Sequence, residues 1–174
     1  MRWHPKSIIL SGSLAKTGES CMPNDSVSGP FVSVACICQV PLREANGQLS
    51  IIRVMDRIQV FGVTPAMQPQ SLQHLVLVVV LRSGTLGENQ KIRIVPVRPD
   101  GTSLPETEVS VLFEGNDRGP ALIMPVALVA TEAGLYWFDV YWETQLLTRI
   151  PLRVQYQRMQ TPQFPQPPPQ PPRL

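Results

Sequence analysis

Cysteine is scarce in this chain: three residues in 174, Cys21, Cys36 and Cys38. An odd and low count does not build a secreted disulfide scaffold. Charge is scarce as well, at 16% of residues with a net +2, against about a quarter in ordinary domains. The twelve arginines and three lysines are scattered rather than clustered. That pattern excludes the basic stripe by which proteins hold nucleic acid or an anionic membrane. Long apolar runs are missing. Near the start the longest is Ile8–Leu10, short of the roughly 7–15 residues of a secretory signal. Nothing approaches the roughly 18 residues of a membrane-spanning helix. The expected home is therefore cytoplasmic and reducing.

Several chemical signatures are also missing. No G-x-S-x-G turn presents a nucleophile. "GTLGENQ" at 84–90 lacks the lysine and the following helix of a phosphate loop. No segment shows the period of an amphipathic helix, and no repeat or second domain is visible.

What the chain has is proline and short apolar runs. Residues 1–29 are rich in Ser, Gly, Pro and Asn without apolar period, and they read as a flexible leader. Residues 158–174 form a Pro/Gln-rich tail expected to be disordered or polyproline-II-like. Its "PPQPPR" at 168–173 matches P-x-x-P-x-R, but a plain flexible tail is the simpler reading. The fold is expected over 30–157.

Within it, eight runs read as strands: 31–40, 47–60, 71–82, 90–98, 108–115, 120–131, 135–142 and 146–156. The run 71–82 is apolar on both parities, as a central strand covered on both faces would be. Lys91 and Arg93 alternate with Ile92 and Ile94. "PDG" at 99–101 is a turn, since Pro presets φ and Gly accepts φ > 0. Pro125 marks an edge or a bulge. Strands at this spacing predict an all-β, antiparallel sandwich of about eight strands, with a barrel as the alternative closure. Before the penultimate strand, Gly134 and Tyr136 have the spacing of a tyrosine corner, in which the Tyr hydroxyl bonds backbone just upstream.

"ACICQV", "GQLSIIRVMDRI", the "VRPDG" turn and "EAGLYWFDVYWETQLLTRIPLRV", over roughly 31–155, resemble a family of small bacterial proteins of unknown function. The resemblance implies an immunoglobulin-like β-sandwich and carries no known activity.

Each candidate for chemistry has an ordinary explanation. Cys36 and Cys38 share a strand face with Val32, Val34 and Val40. Their spacing is not that of a zinc site, so they read as packed core thiols. His74, read as lying in a strand beside Val76 and Val78, has no nucleophile sequence near it. Asp56 and Asp139 are the carboxylates whose surroundings invite inspection. The aromatics say more. Tyr136, Phe138, Val140 and Trp142 share one parity of their strand. Trp137 and Tyr141 take the other and, with Arg149 and Arg153 of the next strand, form an expected aromatic–arginine interaction face.

The sequence thus predicts a non-catalytic binding module without metal or cofactor, its partner a protein. The alternatives are a carbohydrate-binding module, which would use the same exposed rings, and an uncharacterised enzyme. Nothing in the sequence indicates an oligomeric state.

Overall fold

A computed structural model describes residues 29–116 and 118–159. Most of the leader, nearly all of the tail, Cys21, His4 and the P-x-x-P-x-R motif lie outside the described residues.

The described residues are all-β, with eleven strands and no helix. No helix among them is long and apolar enough to cross a membrane. The strands are β1 (Phe31–Arg43), β2 (Leu49–Met55), β3 (Arg57–Gly62), β4 (Gln70–Ser71), β5 (Val76–Arg82), β6 (Asn89–Val97), β7 (Thr107–Leu112), β8 (Ala121–Pro125), β9 (Val129–Ala130), β10 (Gly134–Trp142) and β11 (Gln145–Arg158).

Eleven replaces the expected eight because three of the apolar runs each break in two. The run 47–60 breaks at Asp56. β2 stays beside β1, and β3 crosses to the other sheet and lies parallel to β11. The Asp56 carbonyl accepts from the Arg153 amide at 2.7 Å and fastens the crossing. The run 71–82 breaks around His74, whose φ of 66° is left-handed and cannot continue a strand. The run 120–131 breaks after Pro125, which has no amide to offer the ladder. β4 and β9, the short pieces these last two breaks release, then pair with each other.

The sheets run β2-β1-β5-β8 and β3-β11-β10-β6-β7. All neighbours are antiparallel except β3 and β11, a parallel pair where the strand spacing predicts only antiparallel neighbours. β5 is central in its sheet, and β8, which ends at Pro125, is an edge.

Both sheets feed one hydrophobic cluster. Ile37, Leu77, Val79 and Leu81 come from the four-stranded sheet, and Ile92, Ile94, Phe138, Val140, Ile150 and Leu152 from the five-stranded one. Burying each such side chain stabilises the fold by roughly 1.5–3 kcal/mol. The cluster fixes the facing of β10: with Tyr136, Phe138 and Val140 turned inward, Trp137, Asp139 and Tyr141 must face out.

A bulge between Val140 and Tyr141 adds one residue to β11 there. It turns Leu147 toward the core and leaves Leu146 exposed. The simple alternation Leu146–Thr148–Ile150 therefore fails at its first member.

Candidate interaction face

The outer face of the five-stranded sheet is built by β10 with its neighbours β11 and β6. Trp137 lies opposite Pro151 on β11 and Val97 on β6; Asp139 lies opposite Arg149 and Val95; Tyr141 lies opposite Arg93. This register lays aromatics, arginines and one carboxylate side by side.

Asp139 is only 3% exposed. A carboxylate so covered needs partners for both oxygens. Arg149 supplies them in a fork, Nε to Oδ1 and Nη2 to Oδ2, each at 2.7 Å. The hydrogen bond and the charge of Asp139 both raise the Arg149 pKa above its ordinary value. The same guanidinium stands 5.4 Å from the centre of the Trp137 ring, within cation–π range. A second unit repeats the motif. The Arg93 guanidinium lies 5.4 Å from the Tyr141 ring centre. It also binds Glu106 at 3.0 Å and donates to the Glu143 carbonyl at 2.8 Å. At the turn between β10 and β11, Glu143 has a φ of 50°, which orients that carbonyl.

Of the four residues expected to form this face, Trp137, Tyr141 and Arg149 lie together in the two units. Arg153 stands apart, opposite Leu135 on β10 and Arg57 on β3. Arg93 was missed, although its outward parity beside Lys91 was visible. No local pattern says that β6 neighbours β10. Asp139, a carboxylate amid aromatics, holds Arg149 over Trp137.

The corner residues sit at the entrance to β10. The Tyr136 hydroxyl donates to the Glu132 carbonyl at 3.1 Å and accepts from the amides of Thr131 at 3.2 Å and Glu132 at 3.4 Å. Gly134 passes so close to the β6–β7 turn that a Cβ there would meet Pro99 Cγ at 2.5 Å. The glycine and the tyrosine thus have separate duties, close approach and backbone bonding.

The other candidates are dispersed. His74 is exposed in the β4–β5 link rather than in a strand, and Asp56 is exposed at the sheet crossing. Among the described residues no three His, Cys, Asp or Glu side chains gather closely enough to hold a metal ion. A groove of about 610 Å³ runs between the start of β1 and the β10–β11 hairpin, lined by Phe31, Val34, Trp142 and Leu146 among others.

The cysteines meet the expectation of packed thiols in part: Cys38 is fully buried and Cys36 half-buried, but both lie outside the cluster between the sheets. Ile37 faces the cluster, so Cys36 and Cys38 face outward from the four-stranded sheet. A register shift between Val32 and Val34 breaks the alternation, and Val32 packs on the core instead of sharing their side. Burial pushes both thiols upward, and at Cys36 the neighbouring Cys38 adds to the effect. A raised pKa means less thiolate at neutral pH. In a Cys21→Ser background, iodoacetamide alkylation should be slow at pH 7 and should rise at a more alkaline pH than for free cysteine. A rate profile centred on the ordinary thiol value would contradict this.

No curated protein matches the chain. A family model described as "Family of unknown function (DUF6941)" matches residues 33–155, from β1 into β11. The chain belongs to this family.

Proposed function

We propose that the domain is a non-catalytic protein-binding module of the bacterial cytoplasm, built as an immunoglobulin-like sandwich, that docks its partner on the outer face of the five-stranded sheet. The strand orders support the fold assignment. β11-β10-β6-β7 follows the G-F-C-C′ order of variable-type immunoglobulin domains, and β1-β5-β8 follows A-B-E. The hydrogen-bonded Tyr136 opens the strand that corresponds to F. Free thiols at Cys36 and Cys38 suit a reducing compartment.

The observation that carries the binding role is the pair of aromatic–arginine units, Trp137 with Arg149 and Tyr141 with Arg93. Trp, Tyr and Arg are the residues on which protein interfaces concentrate their binding energy. Ion pairing already holds both guanidiniums in place, to Asp139 and Glu106, so a partner would find them preorganised. The same geometry favours a protein over a carbohydrate. A sugar stacks on an uncovered aromatic face, and here a guanidinium stands over each ring.

The test compares affinity capture from the source cells by the wild-type domain, Trp137→Ala and Arg149→Ala, with a glycan panel in parallel. A partner retained by the wild type and lost by both variants is the expected result. Glycan binding abolished by Trp137→Ala, with no protein depending on either residue, would overturn it.

A further inference from the structure

Arg57 on β3 and Arg153 on β11 lie outside the aromatic–arginine units and stand opposite each other in the parallel register. Both are exposed, and Arg153 shares the outward parity of Arg149 on β11. Neighbouring strands lie about 4.8 Å apart, so two positive charges sit side by side on one edge of the face. Like charges so placed cost stability. Among the described residues the ion pairs belong to other cations: Lys91 with Glu108, Arg93 with Glu106 and Arg149 with Asp139. Asp56, next to Arg57 in the chain, bonds the Arg153 amide through its carbonyl, and its carboxylate is in none of these pairs. Beside Arg153 lies a shallow cleft of about 530 Å³, lined also by Gln59, Gln155 and Gln157, with no carboxylate in its lining. A guanidinium can only donate, and each side-chain amide can turn a donor toward the cleft.

We infer that Arg57 and Arg153, with the neighbouring glutamines, form a subsite for an acidic segment of the protein partner, which lays aspartate or glutamate side chains next to Trp137. The inference rests on the docking reading above and adds the charge of the partner. Charge complementarity argues for it. The fork of a guanidinium matches a carboxylate, and two forks side by side match a segment carrying more than one. A basic or purely apolar segment laid here would strip water from two unpaired guanidiniums and return nothing. Continuity with the docking face argues for it as well. Pro151, two residues before Arg153 on β11, lies opposite Trp137. At about 3.3 Å per residue, the arginine pair stands about 7 Å along the sheet from the Trp137 row. One extended segment can therefore reach both.

Titration of the full chain with a labelled oligoglutamate peptide tests the inference. The expected result is saturable binding at low ionic strength that weakens as the screening length shrinks to about 8 Å at physiological salt. Arg57→Glu combined with Arg153→Glu should weaken it by about 10-fold or more, because attraction becomes repulsion. The milder pair Arg57→Gln and Arg153→Gln should act in the same direction, and it decides the matter if the double reversal does not fold. Arg82→Glu, exposed on β5 of the other sheet, changes the net charge equally and should weaken binding far less. A wild-type chain that does not bind oligoglutamate overturns the proposal. Equal losses in Arg82→Glu and in the Arg57/Arg153 variants also overturn it, because the peptide would then sense net charge alone. Capture of a protein that depends on Trp137, with oligoglutamate binding indifferent to both arginines, would sink the acidic subsite and leave the docking face standing. Oligoglutamate binding that follows the two arginines, with no captured protein dependent on Trp137 or Arg149, would uphold the subsite and sink the docking face.

Discussion

Phe138→Ala should destabilise the domain by about 3–5 kcal/mol, the usual cost of truncating a buried aromatic, and Trp137→Ala should cost clearly less. The two residues are adjacent, so β10 sends them to opposite faces. Phe138 is buried in the cluster shared by the two sheets, opposite Ile150. Its removal leaves a cavity that two hydrogen-bonded sheets cannot collapse to fill. Trp137 is half-buried on the outer face, where its loss uncovers Arg149 and Pro151 but opens no void in the core. Urea melts of both variants decide the matter. If Trp137→Ala were the more damaging, the facing of β10 would be inverted and the interaction face withdrawn with it.

Tyr136→Phe should cost about 1–3 kcal/mol, although it removes a single oxygen. That oxygen bonds two amides and one carbonyl in the link between β9 and β10. The ring is 1% exposed, so water cannot take its place without repacking. The phenylalanine ring would fill the same space, and any loss seen in a denaturant melt therefore reports the hydrogen bonds alone. An unchanged midpoint would mean that the hydroxyl does not secure the corner.

The parts of this fold that are written locally were legible in the sequence. The period-two alternation of 135–142 separated Tyr136 and Phe138 from Trp137 and Tyr141, and the doubly apolar run 71–82 marked a central strand. Gly134 and Tyr136 announced the corner by spacing alone. What was hidden depends on backbone states or on partners remote in sequence. Nothing about His74 signals that a run will break there, since a left-handed φ at a non-glycine residue is set by tertiary packing, and nothing about Asp56 signals the crossing between sheets. The outward facing of Cys36 and Cys38 was hidden for a different reason. Both parities of β1 are apolar, so hydrophobicity could not choose between them, and Ile37 took the core side. Half of the aromatic–arginine face was hidden because Arg93 reaches Tyr141 only through the pairing of β6 with β10.

A domain that binds a protein through Trp137 and Tyr141 must shield both rings in the complex. Hydroxyl-radical footprinting of the captured complex tests it most directly, because both rings are half-exposed and react readily when accessible. Oxidation of Trp137 and Tyr141 should fall sharply when the partner is added, while Phe31, exposed on β1 of the other sheet, is oxidised as before. Unchanged oxidation of Trp137 and Tyr141 in a saturated complex would contradict it.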